Sequence, residues 1–255
     1  INKLNIYYMN FKAYKMDGLG NDFLIIDRRK NSISISKEKI IELGKRDNIG
    51  FDQMIFIERD EEISGRVYIT IFNSDGDEVS ACGNGSRCVA KILCDEKKME
   101  HAVIITSNRI LKAQKVSEYN IRIVMGEPLF GWKNIPLSKN INHKNINLNI
   151  NGIKLVEGYA LNVGNPHIVF FVDDCFKYDL KKIGPLIENH NLFPEKVNVT
   201  FAQIKSDNNI LVNVWERGAG LTKACGTAAC ATGAVAFEKS LAGKNTNIHF
   251  KEGFL

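Results

Sequence analysis

Two cysteines stand in matching contexts, and this match constrains the fold more than any other feature of the sequence. Ala81-Cys82-Gly83 recurs as Ala224-Cys225-Gly226 at an offset of 143 residues. Gly20-Asn21 recurs as Gly164-Asn165 at an offset of 144 residues. Several matches at nearly one offset, in the same order of strands, turns and helices, predict a chain built from an internal duplication.

Each cysteine lies where a strand and a turn give way to a helix, and a polar residue, Asn73 or Glu216, ends the strand nine residues earlier. The N-terminus of a helix offers unpaired N–H groups and a partial positive charge. We therefore expect the pKa of both thiols to lie below the ordinary value of about 8.5. If a pseudo-twofold axis relates the halves, Cys82 and Cys225 face one ligand in the cleft between two domains.

Apolar periodicity and turn residues predict similar elements in the two halves, with a boundary at Gly126-Glu127-Pro128 that separates domains 1–127 and 128–255. In the first half, Gly18 and Gly20 supply the turn between two strands. The Asn- and Lys-rich segment 138–151 is typical of a solvated loop or edge hairpin. The predicted strands are 12–27 (two strands), 53–58, 65–72, 102–106, 121–125, 159–161, 168–172, 197–204 and 211–215. The predicted helices are 36–48, a helix that follows the turn 81–85 and runs to about Lys98, 179–191 (interrupted at Gly184-Pro185), and a helix that follows the turn at Cys225 and runs to about Leu241.

Composition excludes several classes of protein. The net charge of +5 is scattered, which suits an anionic substrate but predicts no nucleic-acid partner. No apolar run approaches the roughly 18 residues of a membrane span, and the N-terminal residues do not resemble a signal peptide. We therefore expect a cytoplasmic protein with reduced thiols. Because no C-x2-C pair is present, we expect no metal site. Four other cysteines are expected to be packing residues: Cys88, Cys94, Cys175 and Cys230.

Two equivalent thiols on opposite sides of a ligand suit the inversion of a carbon that bears hydrogen. One group removes the proton from one face, and the other delivers a proton to the opposite face. A thiolate and a thiol need only exchange protonation states for the reverse reaction. The two helix N-termini can hold the substrate carboxylate and stabilise the charge that develops at the α-carbon.

Six segments of the chain resemble the diaminopimelate epimerase family, in order from about Met9 to Leu241. The resemblance implies an α+β fold of two pseudo-symmetric domains, each a mostly antiparallel, barrel-like sheet wrapped on a central helix, with the active site in the cleft between them. It also implies interconversion of LL- and meso-diaminopimelate, on the route to lysine and peptidoglycan, with no cofactor. The segments are MDGLGNDF (16–23), FNSDGDEVSACGNGSRC (72–88), GNPH (164–167), IGPLIENHNLFP (183–194), VNVTF (197–201) and WERGAGLTKACGTAAC (215–230).

The same resemblance assigns roles to residues. Cys82 and Cys225 match the acid/base pair, and His167 and Glu216 match residues that tune the thiols. Arg217 suits bidentate recognition of a carboxylate, and Glu216 can receive an ammonium group. The implied substrate contacts are Asn21, Gln53, Asn73, Gly83, Asn84, Asn165, Asn198, Glu216, Arg217, Gly226 and Thr227.

The resemblance further implies a homodimer whose chain continues past the second helix into additional strands. Because this chain stops at Leu255, we expect its C-terminus to be incomplete or shortened.

Three alternative functions remain. A racemase resembling proline racemase would hold a monocarboxylate and would not need the Glu216-Arg217 pair. A thiol redox protein would use Cys82 and Cys225 as a reversible disulfide. A duplicated binding domain without catalysis would fit better if either cysteine were replaced, and neither is.

Overall fold

The computed structural model describes residues 12–31, 33–58, 65–79 and 82–255. The chain divides into two compact units, of which the first ends at Val124 and the second runs from Met125 to Leu255. Ala81, which matches Ala224 in the sequence, lies outside the described residues. Within the described ranges, no helix has the length and apolar character needed to cross a membrane.

The first unit contains eight strands and two helices among its described residues. In chain order they are β1 (Lys12–Gly18), β2 (Asn21–Asp27), α1 (Lys37–Gly44), β3 (Gln53–Glu58), β4 (Arg66–Asn73), β5 (Glu78–Val79), α2 (Gly83–Lys97), β6 (His101–Ile105), β7 (Ile110–Lys115) and β8 (Ile121–Val124).

A two-residue turn joins β1 to β2 and places Asn21 at the start of β2. Gly18 pairs with Asn21, and the turn residues Leu19 and Gly20 have φ angles of 57° and 76°. Two successive positive φ angles match the twist of a tight hairpin. The prediction for Gly20 is therefore confirmed, whereas Gly18 lies in the strand and Leu19 adopts the unusual angle instead.

The sheet of the first unit is mixed and wraps around α2. Its strand order is β1-β2-β3-β4-β6-β7-β8, with β5 beside β4. The pairs β2–β3 and β4–β6 are parallel, and the other pairs are antiparallel. The helix contacts strands at both ends of this order, β1 and β8. Its apolar face, predicted as Val89, Ile92 and Leu93, is buried. A barrel-like sheet around a central helix is therefore confirmed for this unit.

The second unit also contains eight strands and two helices. They are β9 (Ile146–Ile150), β10 (Ile153–Asn162), β11 (Pro166–Phe171), α3 (Leu180–Glu188), β12 (Asn198–Ser206), β13 (Asn209–Glu216), β14 (Gly220–Leu221), α4 (Gly226–Glu238), β15 (Asn247–Phe250) and β16 (Gly253–Phe254).

The second unit repeats the pairing pattern of the first, as the duplication predicts. Its strand order is β16-β15-β13-β12-β11-β10-β9, with β14 beside β13. The parallel pairs are β11–β12 and β13–β15, which correspond to β2–β3 and β4–β6. The register agrees as well, because Phe23 pairs with Gln53 in the first unit and His167 pairs with Asn198 in the second. Each unit carries its long helix after the equivalent short strand, β5 or β14.

Small side chains allow the second sheet to approach α4 closely. The helix contacts β10, β11, β12 and β15, and it buries mostly alanines against them. Burial of this apolar face supplies the main driving force for packing, at about 25 cal/mol per Å² of apolar surface.

The Asn- and Lys-rich segment 138–151 contributes more to the core than predicted. Its last residues form β9, which pairs with β10 as an edge hairpin. Ile146, Leu148 and Ile150 of β9 alternate with exposed residues and pack into the core of the second unit. The edge hairpin is therefore confirmed, but a fully solvated loop is wrong, because three isoleucine and leucine side chains alternate at strand spacing.

Gly184 and Pro185 do not interrupt α3, which continues through both residues. A Cβ atom on Gly184 would lie 2.5 Å from Cδ2 of Trp215. The helix therefore packs its backbone directly onto this indole ring, which only glycine permits. This contact fixes Trp215, the residue that precedes Glu216.

Five strands were not predicted. β5, β14 and β16 have two residues each and lack a periodic signal. β7 alternates buried Leu111 and Ala113 with lysine and glutamine, which masks its apolar pattern. β15 and β16 follow α4 and join the sheet of the second unit, beyond the last element that the sequence predicted.

Candidate functional site

Cys82 is the N-cap of α2 in the first unit. Its φ and ψ angles of −146° and 110° are extended, and the Gly85 N–H donates to Sγ at 3.3 Å. The side chain is half-buried. A Cβ atom on Gly85 would lie 2.4 Å from Ile55 Cδ1, so the first turn of the helix lies directly on β3.

Asn21, Gln53 and Asn73 lie at the ends of three adjacent strands of the first unit. Gln53 and Asn73 are paired across β3 and β4, and Gln53 Nε2 donates to Asn73 Oδ1 at 2.9 Å. Asn21 Oδ1 and Gln53 Oε1 are buried and accept no hydrogen bond from the described residues. A buried acceptor without a donor is costly. Both oxygens are therefore suited to a ligand that donates hydrogen bonds.

The first turn of α2 contributes two further predicted residues. Gly83 begins the helix, and Asn84 is buried and accepts a hydrogen bond from Arg87. The early N–H groups of a helix have no intrahelical partner and suit an anionic group.

Cys225 is the N-cap of α4 in the second unit and repeats the geometry of Cys82. Its φ and ψ angles are −140° and 116°, and the Ala228 N–H donates to Sγ at 3.4 Å. The side chain is only 4% exposed, in contrast with the half-buried Cys82. Gly226 and Thr227 form the first turn, and Thr227 Oγ1 lies 3.3 Å from Sγ.

Glu216 is the principal neighbour of Cys225. The thiol donates to Glu216 Oε2 at 3.0 Å. Burial raises the pKa of Cys225 well above its usual value, and the adjacent carboxylate raises it further. Burial also raises the pKa of Glu216. The prediction that both thiols have lowered pKa values is therefore wrong for Cys225, because burial and a neighbouring negative charge outweigh the helix N-terminus.

Asn165 and His167 are connected to Cys225 through Thr227. Asn165 Nδ2 donates to Thr227 Oγ1 at 3.5 Å, and His167 Nε2 lies 2.9 Å from Asn165 Oδ1. Since an amide oxygen only accepts, His167 carries a proton on Nε2. His167 is fully buried and does not contact the thiol through these bonds. These bonds connect His167 to Cys225 indirectly, through Asn165 and Thr227.

Asn198 anchors the segment that carries Arg217. Its Nδ2 donates to the Pro166 carbonyl at 2.8 Å, and its Oδ1 accepts from the Arg217 N–H at 2.9 Å. The Arg217 guanidinium donates to the Glu195 carbonyl through Nη1 at 2.8 Å. Asn198 is buried and both ends of its amide are used, so its role in the described residues is to hold the backbone of Arg217.

Glu188 was not singled out from the sequence, yet it accepts hydrogen bonds from the residues on either side of the Glu216-Arg217 pair, Trp215 and Gly218. It is 5% exposed and lies at the end of α3. Its carboxylate accepts from Trp215 Nε1 at 2.7 Å and from the Gly218 N–H at 3.0 Å. The only sequence signal was its place in the segment 183–194, because its partners are about 30 residues away along the chain.

The remaining cysteines differ among themselves. Cys88, Cys94 and Cys175 are buried, as expected of packing residues, and burial raises the pKa of Cys88 to about 12. Cys230 lies on α4 and is exposed, so the prediction of a packing role is wrong for this residue.

Comparison with known proteins identifies related sequences over most of the chain. The family model for diaminopimelate epimerase matches residues 13–130 and 159–255. The diaminopimelate epimerase of Pelagibacter ubique (strain HTCC1062) is 49% identical over 250 residues, which are 97% of this chain and 90% of that protein. The diaminopimelate epimerase of Wolbachia sp. subsp. Brugia malayi (strain TRS) is 41% identical over 219 residues, which are 85% of this chain and 81% of that protein.

Solved structures with much lower sequence identity share the fold. A hydroxyproline epimerase from Agrobacterium vitis has a TM-score of 0.58 at 12% identity, over 95% of this chain and 81% of that chain. A phenazine biosynthesis PhzC/PhzF protein from Clostridium difficile (strain 630) has a TM-score of 0.63 at 12% identity, over 96% of this chain and 89% of that chain. These similarities show a common two-domain architecture.

Proposed function

The chain belongs to the diaminopimelate epimerase family, and from this premise we propose that it interconverts LL- and meso-diaminopimelate by proton transfer at one α-carbon. Cys82 and Cys225 are the two acid/base groups, and no cofactor takes part. The observation that carries the proposal is the equivalence of the two cysteines. Each is the N-cap of the long helix in one of two units with the same strand pairing.

The two thiols start in different protonation states. Cys225 donates a hydrogen bond to Glu216, so it holds a proton. Because the two-thiol mechanism needs one ionised member, we assign the thiolate to Cys82, which is half-buried, whereas Cys225 is buried beside a carboxylate. In this state Cys82 removes the α-proton, which breaks the C–H bond and forms S–H. Cys225 then gives its proton to the opposite face of the carbon, which breaks S–H and forms the new C–H bond.

This turnover leaves Cys82 protonated and Cys225 ionised. The reverse reaction starts from that state, and exchange of protons with water restores the first one. Between the two transfers the α-carbon carries negative charge, which its carboxylate delocalises. The N–H groups of Gly83, Asn84, Gly226 and Thr227, at the starts of the two helices, stabilise this charge.

The substrate carries two carboxylates and two ammonium groups, and the proposed contacts match them. Glu216 and the amide oxygens of Asn21 and Gln53 accept from ammonium N–H groups. Arg217 donates to a carboxylate with guanidinium N–H groups other than the one on Glu195. Asn73 and Asn165 complete the polar lining, Asn198 holds the backbone of Arg217, and His167 acts on Cys225 through Asn165 and Thr227.

Incubation under reducing conditions with a panel of substrates tests this function. We expect conversion of LL-diaminopimelate to the meso isomer, measured by separation of the stereoisomers. L-Lysine lacks the second carboxylate and L-proline lacks the side-chain ammonium as well, so neither should be converted at a comparable rate. Preferred conversion of L-proline would instead support the monocarboxylate racemase. Absence of any conversion would leave the redox and binding alternatives.

The family membership also supports a physiological setting, which we propose as well. The reaction supplies meso-diaminopimelate for lysine and peptidoglycan synthesis in the cytoplasm, where thiols stay reduced. The working form is a homodimer, which light scattering of the purified protein tests directly.

A further inference from the structure

Two aspartates flank the proposed ligands Asn21 and Gln53 and bind each other's backbone. The Asp22 N–H donates to Asp52 Oδ2 at 3.0 Å, and the Asp52 N–H donates to Asp22 Oδ1 at 3.1 Å. β2 and β3 are parallel, and their first ladder pair is Phe23 with Gln53. The two carboxylates therefore accept from backbone N–H groups at the starts of both strands, next to Asn21 and Gln53.

Asp52 also contacts the segment that carries the third proposed ligand. Its backbone carbonyl accepts from the Ser74 N–H at 3.1 Å, directly after Asn73. Gln53, the next residue along the chain, donates to the Asn73 side chain at 2.9 Å. Asp52 thus joins three segments, and each of them ends in an amide side chain that we assign to the substrate.

Cations hold the two carboxylates together. Arg46 Nη1 lies 2.9 and 2.8 Å from the two oxygens of Asp22, and Arg46 Nη2 pairs with Asp52. Lys15 pairs with Asp22 and with the Gly50 carbonyl. Burial acts to raise the pKa of Asp22, but the hydrogen bonds of Lys15 and Arg46 outweigh it and lower the pKa to about 2. Burial raises the pKa of Asp52. Of the two aspartates, Asp22 is therefore the one that stays ionised to lower pH.

We propose that Asp52, held by Asp22 and Arg46, is a positioning residue that sets the geometry of Asn21, Gln53 and Asn73 for substrate binding. It touches no reacting atom. The inference rests on the proposed function, because it concerns ligands of that substrate. A misplacement of about 1 Å at a site can cost about 100-fold in catalysis. We therefore expect loss of this cluster to weaken substrate binding, in addition to any decrease in the free energy of unfolding.

The test compares Asp52→Ala and Asp52→Asn with a matched control, Asp27→Ala. Asp27 lies at the other end of β2 and pairs with Arg29, so its loss removes a similar ion pair far from Asn21. We expect Asp52→Ala to raise the KM for diaminopimelate about tenfold, which corresponds to one broken charge-assisted hydrogen bond. Asp52→Asn keeps an acceptor for the Asp22 N–H and should recover most of the affinity. Asp27→Ala should lower the melting temperature with an unchanged KM.

A second pair of variants covers the case in which Asp52→Ala does not fold. Arg46 is 62% exposed, so Arg46→Ala removes the bridging cation with little effect on the core. Its control is Lys37→Ala, which breaks the exposed ion pair with Asp77 in the same unit. Arg46→Ala should raise KM about threefold, and Lys37→Ala should not change it.

Equal KM values for each variant and its control would overturn the positioning role, provided that the unsubstituted enzyme epimerises diaminopimelate. An inactive unsubstituted enzyme would refute the proposed function itself, and with it this inference. The two failures are therefore distinguishable.

Discussion

The two units share one topology and differ in the residue that lies nine positions before each cysteine. Nine positions before the cysteine, the first unit has Asn73 and the second has Glu216. Asn73 bonds to Gln53, whereas Glu216 accepts directly from Cys225. The two cysteines therefore share a place in the fold but differ in their surroundings, and only Cys225 is shown to donate to a carboxylate. A pair of acid/base groups needs one protonated and one ionised member, and the contact with Glu216 favours the protonated state at Cys225.

A second difference strengthens the inequality. Phe23 and His167 occupy equivalent positions, each opposite the residue that begins the next strand of a parallel pair. Phe23 is fully apolar, whereas His167 begins a polar chain that reaches Cys225 through Asn165 and Thr227. The thiol of the second unit is thus buried in a hydrogen-bonded network, and that of the first is half-exposed.

Removal of either thiol should give the largest effect. Cys82→Ala and Cys225→Ala should each lower the epimerisation rate by at least about 10³-fold, because neither proton transfer has a substitute base. Far-UV circular dichroism and melting temperature should stay close to those of the unsubstituted protein. Cys230→Ala is the matched control, since Cys230 is exposed and lies on the same helix as Cys225. A Cys82 or Cys225 variant with the activity of this control would refute the two-thiol mechanism.

Replacement of Glu216 by an uncharged residue should reduce the chemical difference between the two cysteine sites, because the first unit has the uncharged Asn73 at the matching position. Glu216→Gln removes the negative charge beside Cys225, lowers the pKa of this thiol and removes one acceptor for an ammonium group. We expect kcat/KM to fall about 100-fold, equivalent to one or two charge-assisted hydrogen bonds. Steady-state kinetics over a pH series measures both effects. Unchanged kinetics in this variant would show that the carboxylate does not distinguish the thiols.

Alkylation should reveal the inequality of the thiols without any substitution. Iodoacetamide reacts with the thiolate, and Cys225 is buried with a raised pKa. At neutral pH we expect Cys82 to react at least about tenfold faster than Cys225, because a smaller fraction of Cys225 is present as the thiolate. Peptide mass spectrometry measures both rates. Cys230 provides the reference for an exposed thiol. Equal rates for Cys82 and Cys225 would contradict the assigned protonation states.

Glu188 should have the smallest effect, because it acts on the residues that flank Glu216 and Arg217, through Trp215 Nε1 and the Gly218 N–H. Glu188→Gln keeps an acceptor for Trp215 Nε1 and should lower kcat/KM a few-fold. Glu188→Ala leaves two donors without their acceptor and should destabilise the protein by about 1–3 kcal/mol. Urea denaturation monitored by tryptophan fluorescence measures the difference. Identical stability of the two variants would show that these hydrogen bonds contribute little.

The sequence predicted well the local elements that carry the candidate site residues. The position of each cysteine between a strand and a helix can be recognised from the few residues around it. The constant offset between the two halves then pairs Cys82 with Cys225. The hairpin before Asn21 and the long helices are also local, and the structure has them within a few residues of the predicted bounds.

Features that depend on distant partners were not predictable from such patterns. The sign of the pKa shift of Cys225 depends on burial and on Glu216, which outweigh the local helix terminus. Asp52 and Glu188 make hydrogen bonds to partners about 30 residues away, Asp22 and Gly218. The short strands β5 and β14 exist because neighbouring strands pair with them, and two residues carry no periodic signal.

Removal of the α-proton by one thiol and delivery of a different proton by the other is most directly tested in heavy water. The enzyme is incubated with LL-diaminopimelate in D2O under reducing conditions, and the α-proton signals are followed by NMR. Our account predicts deuterium at the inverted α-carbon of each meso product, because the proton removed by Cys82 is not the one delivered by Cys225. Formation of the meso isomer with its original α-proton retained would contradict it.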